Sequence, residues 1–147
     1  MKVVIQRCKC GSCTVDDKIV SKIDKGLVVL AGFNVNDTID DINYIVKKLV
    51  NLRIFDDENG VMNKSVNDVN GEILSISQFT LQAITKDGNR PSYVNAMKGE
   101  DAIKLYEIFN SKLNESVKTY PGVFGADMLI KIDNDGPITI VIDSQNK

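Results

Sequence analysis

The run Gly26-Leu27-Val28-Val29-Leu30-Ala31 limits what this chain can fold into more than any other stretch. Side chains of an extended segment alternate between two faces, and here both faces are apolar over the whole run. Such a segment is expected as a central strand covered on both sides. The rest of the chain has to supply the cover.

Two amphipathic helices are also predicted. Asp37 or Thr38 caps the first, in which Ile39, Ile42, Ile45, Val46, Leu49 and Val50 recur at three- and four-residue spacing. Asp40, Asp41, Lys47 and Lys48 stay outside, acids early and lysines late, as the helix dipole prefers. The second helix starts near Glu100 with the stripe Ala102, Leu105, Tyr106, Phe109, Leu113 and Val117.

Strands are predicted from Val3 to Cys10 and, after an interruption at Gly11-Ser12, from Cys13 to Val15, with Ile19 to Ile23 pairing back beyond the turn Asp16-Asp17-Lys18. Others are predicted at Leu52 to Phe55, at Ile73 to Ile76 continuing through Ser77-Gln78-Phe79-Thr80-Leu81, at Met128 to Ile132 and at Ile138 to Ile142. Asp133-Asn134-Asp135-Gly136-Pro137 lies between the last two as a turn-forming segment. With 147 residues, 43% hydrophobic and 26% charged, residues 1–147 suit one α/β domain with its own core.

No apolar run approaches the roughly 20 residues of a membrane span, and Met1 to Arg7 lacks the apolar centre of a signal peptide, so a cytoplasmic protein is expected. A net charge of −2 leaves no broad basic surface, so any nucleic-acid contact must be local. Arg7, Arg53 and Arg90 are the only arginines.

Histidine is absent, which excludes Ser-His-Asp and Cys-His catalysis and the common histidine-containing zinc sites. The cysteines, Cys8, Cys10 and Cys13, are too close for an obvious disulfide framework. In an extended segment Cys8 and Cys10 share a face and act as small apolar residues. A metal site or redox module built on the three thiols is the competing reading. The acidic turn Asp56 to Gly60 lacks the alternating ligands of a calcium loop.

Ser77-Gln78-Phe79-Thr80-Leu81 puts polar side chains where a buried strand should continue. Leu74, Ile76 and Gln78 point one way and Ile73, Ser75, Ser77 and Phe79 the other. A buried polar group without a partner costs about 1–3 kcal/mol. The stretch is therefore either a site or a strand emerging into solvent. Lys86-Asp87-Gly88-Asn89-Arg90-Pro91 is a loop rich in breakers and positive charge. In Gly136-Pro137 the peptide can be cis at small cost.

With these stretches in view, the chain resembles the D-aminoacyl-tRNA deacylases, also known as D-tyrosyl-tRNA deacylases. The resemblance runs nearly end to end through Gln6-Arg7, Gly26 to Leu30, Arg53-Ile54-Phe55, Ser77 to Leu81, Arg90-Pro91-Ser92, Leu105-Tyr106, Phe124-Gly125-Ala126-Asp127-Met128 and Asn134 to Thr139. It departs mainly at Cys8, Cys10, Gly11 and Cys13, where apolar residues and alanine are usual.

The resemblance implies a small mixed β-sheet with two main helices, paired as a homodimer through the sheet, with active sites at the interface. Ser77, Gln78, Phe79 and Thr80 of one subunit would floor a pocket, and Gly136 and Pro137 of the other would be inserted above it. The implied substrate is a D-amino acid esterified to the acceptor end of tRNA, with glycyl-tRNA as a second. No cofactor, metal or obligate protein partner is implied.

Ester hydrolysis needs an aimed water, a proton acceptor and donors for the oxyanion. A Thr80 nucleophile would need a base that no histidine supplies. The family route instead uses the substrate's ribose 2′-hydroxyl and backbone N–H groups around Phe79 and Thr80. A cis Gly136-Pro137 would hold the α-amino group and exclude L side chains by contact with backbone. By the same resemblance Arg7 braces that loop, Ala102 lines an adenosine pocket, and Lys86 and Arg90 meet acceptor-stem phosphates. A non-catalytic nucleic-acid-binding protein on the same fold is the alternative.

Overall fold

The computed structural model describes all residues, 1–147. Its elements in chain order are β1 (Lys2–Val15), β2 (Lys18–Ile23), β3 (Gly26–Gly32), α1 (Ile39–Asn51), β4 (Phe55–Asp56), β5 (Met62–Lys64), β6 (Glu72–Ser77), a 3-10 turn (Phe79–Gln82), α2 (Gly99–Asn114), β7 (Thr119–Pro121) and β8 (Leu129–Asp143). The main sheet runs β2-β1-β3-β6-β7, with β8 on the other edge of β1, while β4 and β5 form a separate ribbon. No helix is long and apolar enough to cross a membrane.

β3 lies where its two apolar faces require, antiparallel to β1 on one side and parallel to β6 on the other. Leu27, Val29 and Ala31 join Val3, Ile5 and the inner faces of both helices in the larger core. Val28 joins Cys8, Cys13, Ile23, Leu74 and Ile76 in a smaller one on the opposite face. β8 contributes to both, Ile138, Ile140 and Ile142 to the first and Ile130 and Ile132 to the second. The sheet therefore curls towards closure, giving a mixed α/β unit with a near-barrel sheet and two helices.

Thr38 caps α1 through a capping box with Asp41. Asp41 is thereby buried, contrary to its expected place on the outer face. Its other carboxylate oxygen accepts from Gln145 Nε2 at 3.2 Å, a partner that helical periodicity cannot reveal. Asp37 instead pairs with the α-ammonium of Met1, which also donates to Ser144 Oγ at 2.7 Å.

Four strand expectations are corrected. β1 is unbroken, because Gly11 serves close packing and not a turn; a Cβ there would lie 2.8 Å from Val28 Cγ2. β8 is also one strand, its two halves both pairing with β1. Between the pairs Gln6–Thr139 and Cys8–Asn134, the single residue Arg7 faces Asp135 to Ile138, so the turn-like segment is an excursion from a continuous ladder and not a hairpin. The predicted strand Leu52 to Phe55 shrinks to Phe55–Asp56. β6 stops at Ser77, and Phe79 to Gln82 wind into the 3-10 turn instead of continuing extended.

Candidate functional site

The turn after β6 is seated on the end of β3. Gln78 N–H donates to Ala31 O at 2.7 Å, and buried Gln82 donates through Nε2 to Gly32 O at 2.9 Å while its Oε1 accepts from Asn34 Nδ2 at 3.3 Å. The approach is so close that a Cβ on Gly32 would lie 2.7 Å from Gln78 O and 2.9 Å from Leu81 Cβ. Tyr106 fixes β6 from α2, its hydroxyl donating to Ser75 O at 2.7 Å.

Winding at this point leaves backbone donors free. The first N–H groups of a helical turn have no intrahelical acceptor. Those of Phe79 and Thr80 are taken by no other carbonyl or side chain of the chain either. The Thr80 hydroxyl, by contrast, accepts from Gln78 Nε2, so Gln78 and Thr80 satisfy each other locally.

Beside the turn lies a cavity of about 550 Å³ that takes in Ser77, Gln78, Phe79 and Ala102. Thr80 is outside its lining, as are Arg7, Lys86, Arg90, Gly136 and Pro137. The opposite wall comes from Phe124 to Met128, with Phe33 and Met97. The candidate site residues do not include these. Phe124-Gly125-Ala126-Asp127-Met128 stands out in the sequence as a family-like motif, but nothing in its side chains points to a pocket. Asp127 is the only charged residue in the lining.

Gly136 and Pro137 stand exposed on the excursion of β8, joined by a cis peptide, with Gly136 at φ +117°. Buried Arg7 lies behind them. Its Nη1 donates to Ile54 O at 2.8 Å and its Nε to Asp135 O at 3.3 Å, and it forms ion pairs with Asp135 at 3.2 Å and Asp56 at 3.4 Å. Asn134 closes the excursion from inside, Nδ2 donating to Arg7 O at 2.9 Å and Ile138 O at 3.0 Å. Four predicted site residues thus gather at one cavity, and Arg7, Gly136 and Pro137 form a second cluster elsewhere on the surface.

Lys86 and Arg90 sit exposed on the loop beyond the 3-10 turn. Paired backbone bonds between Ile84 and Ser92, 2.8 and 2.9 Å, close that loop. The three thiols are split: Cys8 and Cys13 are buried, while half-exposed Cys10 donates to Asp133 Oδ2 at 3.1 Å. Burial pushes the Cys8 thiol up to about 11. No group of three cysteine or acidic side chains is set to hold a metal ion.

Comparison with known proteins places the whole chain in a family. A family model described as D-Tyr-tRNA(Tyr) deacylase matches residues 4–143. A D-aminoacyl-tRNA deacylase of Flavobacterium psychrophilum is 57% identical across 100% of this chain and 99% of that protein, and one of Clostridium novyi is 51% identical over the same shares. The solved structure of a protein named c-Myc DNA Unwinding Element Binding Protein superposes with a TM-score of 0.93 at 41% identity, covering 97% of this chain and 98% of that one. A probable eukaryotic D-amino acid tRNA deacylase shares the fold with a TM-score of 0.82 at 18% identity, covering 96% and 97%. With the family model spanning nearly the whole chain and full-length relatives more than half identical, this protein belongs to the D-Tyr-tRNA(Tyr) deacylase family.

Proposed function

We propose that this protein hydrolyses the ester bond of D-aminoacyl-tRNA, and of glycyl-tRNA, releasing free amino acid and tRNA. The observation that carries this reading is the pair of unpartnered N–H groups of Phe79 and Thr80 beside a cavity whose chain has no histidine. In this reading those donors stabilise the oxyanion that develops on the ester carbonyl, while the proton acceptor is supplied by the substrate.

In this reading the terminal adenosine enters beside Ala102, and the substrate carbonyl lies against the Phe79 and Thr80 amides. The ribose 2′-hydroxyl helps to activate the water. Ser77 and Gln78 shape the floor. Thr80 acts through its backbone, a role supported by the engagement of its hydroxyl with Gln78. An acyl-threonine route lacks a base.

Chiral selection is assigned to Gly136 and Pro137 of a second copy, inserted over the floor in a homodimer. Two observations favour an intermolecular arrangement: both residues are exposed, and neither lines the cavity of its own chain. The backbone of that loop would hold the α-amino group and collide with an L side chain, which rejects L substrates without reading the side chain itself. Arg7 is the brace of the loop, and Lys86 and Arg90 meet acceptor-stem phosphates. The enzyme works in the cytoplasm without cofactor, metal or obligate protein partner.

The deciding experiment compares hydrolysis of D-tyrosyl- and L-tyrosyl-tRNA on the same tRNA. Rapid release from the D ester alone is expected; equal rates, or none, would sink the reading. A second reading, nucleic-acid binding without turnover, is favoured by the likeness to the 41% identical c-Myc DNA Unwinding Element Binding Protein. It expects tight binding of uncharged DNA or RNA and no hydrolysis, and a net charge of −2 weighs against it.

A further inference from the structure

Phe79 is the outlier among the five phenylalanines, 57% exposed where Phe33, Phe55 and Phe109 are at 4% or less. Its ring meets that of Tyr93 edge to face, with centroids 5.1 Å apart and planes at 71°. Tyr93 is itself 39% exposed, and Val94 beside it 72%. Phe79 lines the cavity and Tyr93 does not, so the pair sits at its edge. Two aromatic rings held against each other in solvent are surface kept for a ligand more readily than for the core.

The charge beside the rim is positive. The loop that ends at Tyr93 carries Lys86 and Arg90. Arg90 forms no ion pair, and Lys86 has only its neighbour Asp87, 3.9 Å away with both side chains in solvent. Exposed aromatic rings at the end of a loop that carries solvent-exposed cations are the elements of a single-strand nucleic-acid surface: rings take bases, cations take phosphates. Stacking reads no sequence, which suits an enzyme whose substrates share only their unpaired end.

We infer that Phe79 and Tyr93 form a stacking platform for the nucleobase preceding the terminal adenosine, with Lys86 and Arg90 facing the phosphates of the same strand. The inference rests on the deacylase reading for the identity of the strand. An adenosine in the cavity leaves its 5′ neighbour to cross the rim, of which this ring pair is part. The Phe79 residue then serves twice, its amide toward the ester and its ring toward the RNA.

The test uses two uncharged RNA hairpins ending in single-stranded CCA, one of them abasic at the nucleotide before the terminal adenosine. Binding to the full-length protein is followed by fluorescence anisotropy at one fixed salt concentration. Removing the base should weaken binding to the unaltered protein about tenfold, within the range for one stacked base. Tyr93→Ala should bind the intact RNA about tenfold more weakly and no longer distinguish the two RNAs, whereas Tyr93→Phe should behave as the unaltered protein. The inference is overturned if the unaltered protein binds both RNAs equally or neither measurably, or if Tyr93→Ala keeps the full abasic penalty. Equal binding together with loss of dimer in Tyr93→Ala, read by sedimentation, would assign the rings to a contact between copies. Because both RNAs are uncharged, failure to hydrolyse D-tyrosyl-tRNA would sink the catalytic reading and leave this result legible.

Discussion

The two clusters of candidate site residues are built in opposite ways. The proposed floor, Ser77 to Thr80, leaves a regular element: β6 ends, a 3-10 turn begins, and two amides lose the acceptors a ladder would have given them. The excursion Asp135 to Ile138 interrupts an element that resumes on the same partner strand, and its polar groups are tied down by Arg7 and Asn134. One cluster leaves two backbone donors unpartnered beside a cavity, and the other exposes a braced segment to solvent. The difference teaches that the floor should govern rate and the excursion should govern discrimination.

Gly32→Ala should break that division most visibly. A Cβ 2.7 Å from Gln78 O must push the turn away and misplace its amides. Loss of about 100-fold in turnover of D-tyrosyl-tRNA is expected, comparable to losing one oxyanion donor, with unchanged far-UV circular dichroism and no gain for the L ester. Activity within threefold of normal would remove the amides from the mechanism.

Arg7→Ala should do the reverse, lowering the ratio of D to L hydrolysis while turnover of the D ester stays high. Hydrogen bonds to a charged group contribute about 1.5–3 kcal/mol. Both carboxylate partners reach solvent, so a loss near about 2 kcal/mol in urea unfolding is expected. Arg7→Lys should recover charge but not the fork that reaches Ile54 and Asp135 together. If the D rate collapses with the selectivity, the clusters are not separable.

Thr80→Ala is expected to cost less than tenfold in single-turnover hydrolysis, since the amide survives and only the Gln78 partner is lost. Complete loss with intact structure would restore the acyl-threonine route.

The smallest effect concerns the base of the excursion. Cys8 pairs with Asn134, and its thiol is raised from 9.0 to about 11 by burial. Because the neutral thiol is favoured by folding, its contribution to stability is complete below pH 9 and fades as pH rises through 11. A disulfide reagent at pH 8 should therefore modify Cys10 slowly, its own thiol being raised by its bond to Asp133, and spare Cys8 and Cys13. Early modification of Cys8 would mean that the excursion opens.

Local chemistry makes much of this legible in the sequence. Burial of Leu27, Val28, Val29 and Ala31 on both faces, a helix cap within Asp37-Thr38 and the stripe Ala102, Tyr106, Phe109 and Leu113 follow from alternation, capping and helical spacing, all carried by near neighbours, while the choice of Thr38 over Asp37 does not. What fails depends on distant partners. Gly11 reads as a break because Val28, which crowds it, is 17 residues away. The last stretch of the chain reads as two strands with a turn because only pairing with β1 shows that they are one. Alternation carries β6 on through Leu81, whereas the seat provided by Gly32 and Gln82 turns it. The far wall at Phe124 to Met128 has no periodic pattern and becomes visible only as a surface facing the floor.

The way the excursion is mounted bears on how fast such an enzyme can work. Ladder pairs hold both its ends to β1, Asn134 spans it, and a buried guanidinium fills the space behind. Much of the entropy of ordering this loop is therefore spent when the chain folds, and less is left to be spent when a ligand arrives. If this loop is the selector proposed above, it would act as a fixed gauge and not as a closing jaw. Discrimination by such a gauge is then expected to need no conformational step.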